Sequence, residues 1–230
     1  MEKFEKGKGK KHLDKDFLEE LKHKIWSTKG TRFTADSRMK TIAKYSTLSI
    51  SFISAYLIIF GLISVYNLYN PNAINSNVIA FTITALSILV LVFSLLENSQ
   101  NYPVKAKNFH DCALDLADLY NKLQNYKSYE KDANGKETLE FCRELQKEYQ
   151  NILRRYDNHD PIDNKKFRMK HPDYYSIKWY EWITIPFLYF ANSRLIYILM
   201  MLIPGMILFK IINIDTYIHR CTTSTNTTIL

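Results

Sequence analysis

The stretch YSTLSISFISAYLIIFGLISVY (residues 45–66) decides the fold of this chain, because none of its 22 residues is Asp, Glu, Lys or Arg. A helix of this length spans about 33 Å, which matches a hydrocarbon core of about 30 Å. A second apolar run of 19 residues, VIAFTITALSILVLVFSLL (residues 78–96), also matches one crossing. No charged residue occurs from Tyr45 to Leu96. A single charge at the bilayer centre costs about 2.5 to 3.5 kcal/mol, so the pattern predicts two membrane-spanning helices.

The two runs are separated by NLYNPNAINSN (residues 67–77), which is rich in turn-forming residues. This loop has no Lys or Arg, whereas Lys40, Lys44, Lys105 and Lys107 flank the outer ends of the two runs. The positive-inside rule therefore predicts that both charged ends face the cytoplasm. Two buried helices of a soluble domain are the alternative, but such helices normally keep a charged face.

The charge of the chain is unevenly distributed. The net charge is +8, and residues 1–44 contain 13 basic and 7 acidic residues. This excess lies beside an apolar run, so membrane orientation explains it better than a nucleic-acid-binding face does. Cys112, Cys142 and Cys221 are too few and too scattered for a disulfide framework. The first 30 residues lack the apolar region of a cleaved signal peptide.

Helical patterns occupy the N-terminal region. Apolar residues recur every four positions from Leu13 to Ile25 and predict an amphipathic helix. After STKGT (residues 27–31), a second short helix is expected to begin at Asp36 or Ser37 and to continue into the first span.

Two further helices are predicted between residues 104 and 156, because apolar residues recur there at alternating steps of three and four. Asn134 and Gly135 form a turn dipeptide between them, so the pair is expected to be an antiparallel hairpin. Such seams bury a modest cytoplasmic core and can also drive self-association. The candidate assembly seam consists of Phe109, Leu116, Leu123, Leu145, Tyr149 and Ile152.

The C-terminal region is an apolar tail of uncertain topology. It contains WITIPFLYFANS (residues 182–193) and LIYILMMLIPGMILF (residues 195–209), separated by Arg194. The second run is only 15 residues long, and Pro204 and Gly205 are expected to interrupt its hydrogen bonding. Interfacial or re-entrant helices and a third crossing are both compatible with this pattern.

No catalytic or nucleotide-binding signature occurs in the sequence. The spans contain no ionisable acid or base, and neither a P-loop nor a G-x-G-x-x-G motif is present. His110 and Cys112 are two positions apart and therefore face different sides of a helix. One polar linker, residues 156–180, is broken by Pro161 and Pro172 and is expected to form an ordered loop or short helical turns. It holds a cluster that could bind a metal but matches no zinc or hydrolase spacing: His159, Asp160, Asp163, His171 and Asp173.

Small and hydroxyl residues recur at helical spacing on one face of each span. Such residues let helices approach closely and hydrogen-bond across the contact, so packing within the chain is one interpretation. The other is that several copies turn these hydroxyls towards a shared water-filled path. The candidate residues of this small-residue face are Thr47, Ser51, Ser54 and Gly61 on the first span, and Thr84, Ser87 and Ser94 on the second.

These elements resemble a known arrangement. An amphipathic N-terminal helix, the basic SRMKTIAKYSTLSIS (residues 37–51) and an uncharged two-span hairpin precede NFHDCALDLADLYNKLQ (residues 108–124) and YDNHDPIDNKKFR (residues 156–168). Together they resemble the SLATT family of bacterial two-transmembrane effectors over roughly residues 14–175. The resemblance implies a role in antiphage conflict systems, in which a separate sensor, cyclic-oligonucleotide or reverse-transcriptase based, triggers opening of the membrane. It implies no enzyme activity and no cofactor.

We therefore expect an all-α membrane protein with four regions. Residues 1–44 form a basic cytoplasmic region, and residues 45–96 form the two-helix transmembrane hairpin. Residues 97–178 form a cytoplasmic helical hairpin with a polar loop, and residues 179–230 form the membrane-associated tail. The expected function is an oligomeric effector that permeabilises the bacterial inner membrane and does not bind nucleic acid directly. A passive anchor for a cytoplasmic interaction module is the alternative, and only the His and Asp cluster favours a membrane enzyme.

Overall fold

The computed structural model describes residues 17–68, 76–129 and 135–210 of the chain. Within these ranges the regular structure is helical, with no strand. Three helical segments are long and apolar enough to cross a membrane: they lie within Phe17–Val65, Asn77–Tyr129 and Glu181–Lys210. The predicted class, an all-α membrane protein, is confirmed. The expected loop between the spans, the turn before Gly135, the Lys-rich start and the final residues 211–230 lie wholly or largely outside the described ranges.

The first helix, α1 (Phe17–Leu68), is continuous, so the predicted break after residue 27 is wrong. Thr31 and Thr34 hydroxyls donate to the carbonyls of Ser27 and Gly30, one turn earlier, at 2.8 and 2.9 Å. These residues therefore remain compatible with the helix. The ring of Phe167 lies so close to Gly30 that a Cβ at this position would overlap it. The glycine that looked like a helix stop is a site of close packing.

Helices α3 (Tyr102–Tyr129) and α4 (Gly135–Arg155) form the predicted hairpin. Their apolar seams meet the N-terminal part of α1 and build one core. Burying such side chains is the dominant favourable term in folding, and this explains why a spacing of three and four predicted the pair correctly. The buried members of this core are Leu18, Leu21, Ile25, Cys112, Leu116, Leu119, Leu123, Cys142, Leu145 and Ile152.

The polar linker contains a short helix, α5 (Pro161–Met169), in agreement with the predicted helical turns. Pro161 occupies the start of the helix, where its missing N–H group would have no partner in any case. Phe167 on α5 and His171 after it lie edge-on to the ring of Trp26, each with a centroid separation of 5.0 Å. These aromatic contacts attach α5 to α1.

The tail forms α6 (Glu181–Phe190), a π-helical segment (Ala191–Leu195) and α7 (196–210). The helix α7 continues through Pro204 and Gly205, so the expected interruption of hydrogen bonding at these residues does not end it. Proline is tolerated in membrane helices where neighbouring groups satisfy the freed backbone carbonyl. Pro204 is buried, and Gly205 lies against Tyr56.

The chain divides into two compact units. One comprises residues 1–42 and 102–193, and the other comprises residues 43–101 and 194–230. The second unit contains both predicted spans, α2 (Ser76–Ser99) and the C-terminal half of α1, together with α7. The first unit contains the core of α1, α3 and α4 and the α5 region.

Candidate functional site

The first span has one face that packs within the chain. Ser49 is fully buried there, and Ile53 and Phe60 on the same face are at most 1% exposed. The Ser49 hydroxyl lies 2.8 Å from the carbonyl of Tyr45 and 3.1 Å from that of Tyr197, and it can donate to either. At Ser49 this face is therefore in contact with α7.

The small-residue face of the first span lies on the other side of the helix. Successive helical residues are rotated by about 100°, which places Thr47, Ser51 and Ser54 roughly 140° to 200° from Ser49. Thr47 and Ser51 are exposed in the single chain, and Ser54 and Gly61 are partly covered. Each of the three hydroxyls donates to the carbonyl four residues earlier, at 2.8 to 3.0 Å.

On the second span, too, two of the candidate hydroxyl residues are exposed. Ile79 is 1% exposed and belongs to the packed face, whereas Thr84 and Ser87 are exposed and Ser94 is partly covered. The hydroxyls of Thr84 and Ser87 donate to the carbonyls of Ala80 and Ile83 at 2.9 and 2.8 Å. Their protons are satisfied inside the helix while their oxygen lone pairs remain available as acceptors. Such a face is compatible with lipid or with another helix.

The candidate assembly seam is occupied within one chain. Leu116, Leu123 and Leu145 are completely buried, and Phe109 and Ile152 are 7% exposed. Tyr149 packs at the margin, where its hydroxyl is 2.8 Å from that of Thr28. These residues bind α1, α3 and α4 together, so a role between copies would require the core to open.

A buried ion-pair cluster lies just before the first span. Arg38 is 4% exposed, and its Nε and Nη2 donate to the two carboxylate oxygens of the fully buried Asp163 at 2.7 and 2.9 Å. Nη2 also pairs with Asp160, whose side chain is 59% exposed. Burial alone would lower the pKa of Arg38, but the hydrogen bonds and negative charges of Asp163 and Asp160 outweigh it and raise that pKa. This bidentate geometry fixes α5 against α1.

A second arginine, Arg32, is buried beside this cluster. It is 1% exposed, donates to the carbonyl of Asp157, and holds its guanidinium carbon 5.6 Å from the ring centroid of Phe109. Burial, followed by the positive charge of Arg32, lowers the pKa of His159. Among the described residues, Arg32 Nε and His159 Nδ1 are buried without a hydrogen-bond partner.

The structure separates the His and Asp cluster of the linker. Asp160 and Asp163 pair with Arg38, while His171 packs against Trp26 and Phe167. No group of three His, Cys, Asp or Glu residues within the described ranges has the geometry of a metal site. Sequence reasoning missed Arg38 because its partners lie more than 120 positions away. An arginine next to a span is usually read as a topology signal.

His110 and Cys112 also have separate surroundings. His110 Nδ1 lies 3.3 Å from the Asp36 carboxylate, which in turn accepts from Lys40 at 2.9 Å. Cys112 is fully buried in the core, and burial raises the pKa of its thiol. A protonated, inaccessible thiol is a poor nucleophile.

The family model of the SMODS and SLOG-associating 2TM effector domain family 5, SLATT_5, matches residues 14–210. The chain belongs to this family. No curated protein and no solved structure is significantly similar to the chain.

The SLATT match extends further than the sequence resemblance indicated. It includes the tail up to Lys210, so the tail is part of the family pattern and not an addition to it. SLATT domains are two-transmembrane effector domains associated with antiphage systems, and they are not a known enzyme family.

Proposed function

We propose that this SLATT protein is a membrane effector of a bacterial antiphage system. In this proposal several copies assemble in the inner membrane through the small-residue faces and open a conducting path, which leads to cell death or growth arrest. A separate sensor protein, based on a cyclic oligonucleotide or a reverse transcriptase, provides the trigger. The partners are therefore the lipid bilayer, other copies of the chain and that sensor.

The observation that carries the proposal is the position of the exposed hydroxyls. Thr47, Ser51, Thr84 and Ser87 lie outside the packed faces of their spans. Only 11% to 17% of the residues in the most apolar stretch of each candidate span helix are buried in one chain. Large surfaces thus remain for contacts outside the chain.

The number of helices requires more than one copy. Two or three helices cannot enclose a water-filled path, because such a path through lipid needs a closed wall of helices. Uncharged hydroxyls suit the lining of such a path, since they hydrogen-bond to water and coordinate ions without the cost of a full charge in the membrane.

Replacement of two hydroxyls tests the proposal. The double variant Ser51→Leu/Ser87→Leu, expressed with its neighbouring genes during phage infection, is expected to reach the membrane but to lose most uptake of a membrane-potential dye. Thr82→Leu is the matched control. Thr82 lies on another face of the second span than Ser87, and its hydroxyl also donates to the carbonyl four residues earlier, at 2.7 Å. Full dye uptake by the double variant would contradict the lined path.

A passive membrane anchor is the second candidate. The hydrogen bonds of the Ser and Thr hydroxyls to their own helices favour it, because a hydroxyl that already donates to its own helix is stable against lipid without any partner. Under this alternative, infected cells that express the wild-type protein take up no dye at any time. The experiment above therefore separates the two functions.

A further inference from the structure

Three contacts join the tail to the first span in a regular register. The Arg194 guanidinium carbon lies 5.5 Å from the ring centroid of Tyr45. The Ser49 hydroxyl lies 3.1 Å from the carbonyl of Tyr197. A Cβ at Gly205 would be 2.7 Å from the hydroxyl of Tyr56, so the two helices approach closely there.

The partners in these three contacts are separated by an almost constant 148 or 149 positions. A constant difference identifies parallel helices, because in an antiparallel pair the partner number falls as the other rises. The contacts extend over 11 residue steps on each helix, which is about 16 Å along the axis. A helix lying in the membrane plane would meet a spanning helix at one level only.

Polar contacts also connect the ends of the three apolar segments. Arg194 is level with Tyr45, which directly follows Lys44. The Tyr197 hydroxyl donates to the carboxylate of Glu97, at the end of α2, with a shortest distance of 3.1 Å. The charges that bound the first span, the second span and the tail therefore meet at a common polar boundary.

We propose that the tail is a third transmembrane span that runs parallel to the first. The tail lies within Glu181–Lys210, a segment long and apolar enough to cross a membrane, and residues 195–209 contain no charged residue. By the same register Lys210 is level with Gly61, about 7 Å short of Tyr66. A lysine at this depth places its ammonium group in the far interface while its methylene groups remain in lipid.

The consequence is a chain whose ends lie on opposite sides of the membrane. The C-terminal segment that contains Cys221 emerges on the side of the loop at residues 69–75, and the N-terminal region lies on the other side. The family description counts two spans, and this chain has three. The inference depends on membrane insertion but not on pore formation.

Cysteine accessibility tests this topology without any assumption about absolute orientation. A membrane-impermeant maleimide is applied to spheroplasts before and after permeabilisation. Cys221 reports on the tail of the wild-type chain. Asn72→Cys reports on the loop and Lys8→Cys on the N-terminal region, both combined with Cys221→Ser. Cys221→Ser alone is the background control, because Cys112 and Cys142 are buried.

Cys221 is expected to label like Asn72→Cys and unlike Lys8→Cys. All variants are first shown to remain in the membrane after carbonate extraction. Ser224→Cys in the Cys221→Ser background provides a second reporter on the tail. If both tail reporters label like Lys8→Cys, the tail returns to the N-terminal side and the third span does not exist.

Discussion

The Arg38 ion pair makes the strongest prediction for a single side chain. Arg38→Ala leaves the carboxylate of Asp163 buried without a partner, and such a loss typically costs about 3 to 5 kcal/mol. Asp160→Asn changes an exposed partner and is expected to cost at most about 1 kcal/mol. Thermal and chemical unfolding in detergent, followed by circular dichroism, measures both changes.

A double variant tests the cause of this loss. Arg38→Met/Asp163→Leu removes both charges and is expected to be more stable than Arg38→Ala, because no charge is left buried. Equal losses for Arg38→Ala and Asp160→Asn would show that the buried carboxylate does not depend on this arginine.

Two glycines of α1 offer a matched comparison. Alanine is the better helix former by about 1 kcal/mol, so Gly61→Ala is expected to be neutral or slightly stabilising, since nothing lies within 4 Å of its added Cβ. Gly30→Ala forces the methyl group into the ring of Phe167 and is expected to destabilise by about 1 to 3 kcal/mol. Unfolding midpoints of the two variants measure the difference. A stabilising Gly30→Ala would mean that α5 does not pack closely on α1.

His159 predicts a pH dependence of stability. Its ordinary pKa is 6.5, and burial together with Arg32 lowers this value in the folded chain. As the pH falls below about 6.5, the unfolded chain takes up a proton that the folded chain binds only at lower pH, so stability decreases until the folded pKa is passed. Above pH 6.5 both states are neutral and this contribution vanishes.

Replacement of the imidazole isolates this effect. His159→Asn is expected to show a smaller fall in the free energy of unfolding between about pH 7.5 and about pH 5.5 than the wild-type chain does. Identical slopes for wild type and His159→Asn would refute the assignment to His159.

At the level of helices, the register between α1 and the tail predicts which positions can be joined. Tyr56→Cys/Gly205→Cys is expected to react with a short bifunctional maleimide within one chain. Tyr56→Cys/Leu199→Cys is the control, since Leu199 lies six residues, or about 9 Å, from Gly205 and is exposed. Both pairs are placed in the Cys221→Ser background. Equal cross-linking of the two pairs would contradict the parallel register.

The spans and the helical hairpin were predictable, because the absence of charge marked the spans and the spacing of buried residues marked the hairpin. The absence of charge from Tyr45 to Leu96 indicated the two spans, and the spacing of Leu116, Leu123 and Leu145 indicated the hairpin. The prediction failed around Gly30, because local propensity suggested a break where α1 continues and packs closely against Phe167.

The candidate site was less accessible to sequence reasoning. The small-residue face could be named from spacing alone, but its position relative to the packed face depends on the tail contacts at Ser49 and Tyr56. Arg38 and Asp163 carry no local signal, since their pairing depends on how α5 folds back onto α1. Functional use of the small-residue face and of the assembly seam stays a prediction.

For the whole molecule, the two candidate contact surfaces differ in what an assembly would cost. Use of the seam between copies would expose the core of α1, α3 and α4, in which Leu116 and Leu145 are completely buried. Contact through Ser51 and Ser87 buries surface that is already exposed in one chain. We therefore expect copies to meet first through the spans.

Cross-linking between copies in infected cells tests this claim most directly. Ser51→Cys in the Cys221→Ser background is expected to give covalent dimers with an oxidant after infection, since each chain then carries one accessible thiol. Ile53→Cys, on the buried face, is expected to give none. If Ser51→Cys stays monomeric before and after infection, or if Ile53→Cys cross-links equally well, assembly through the small-residue face is contradicted.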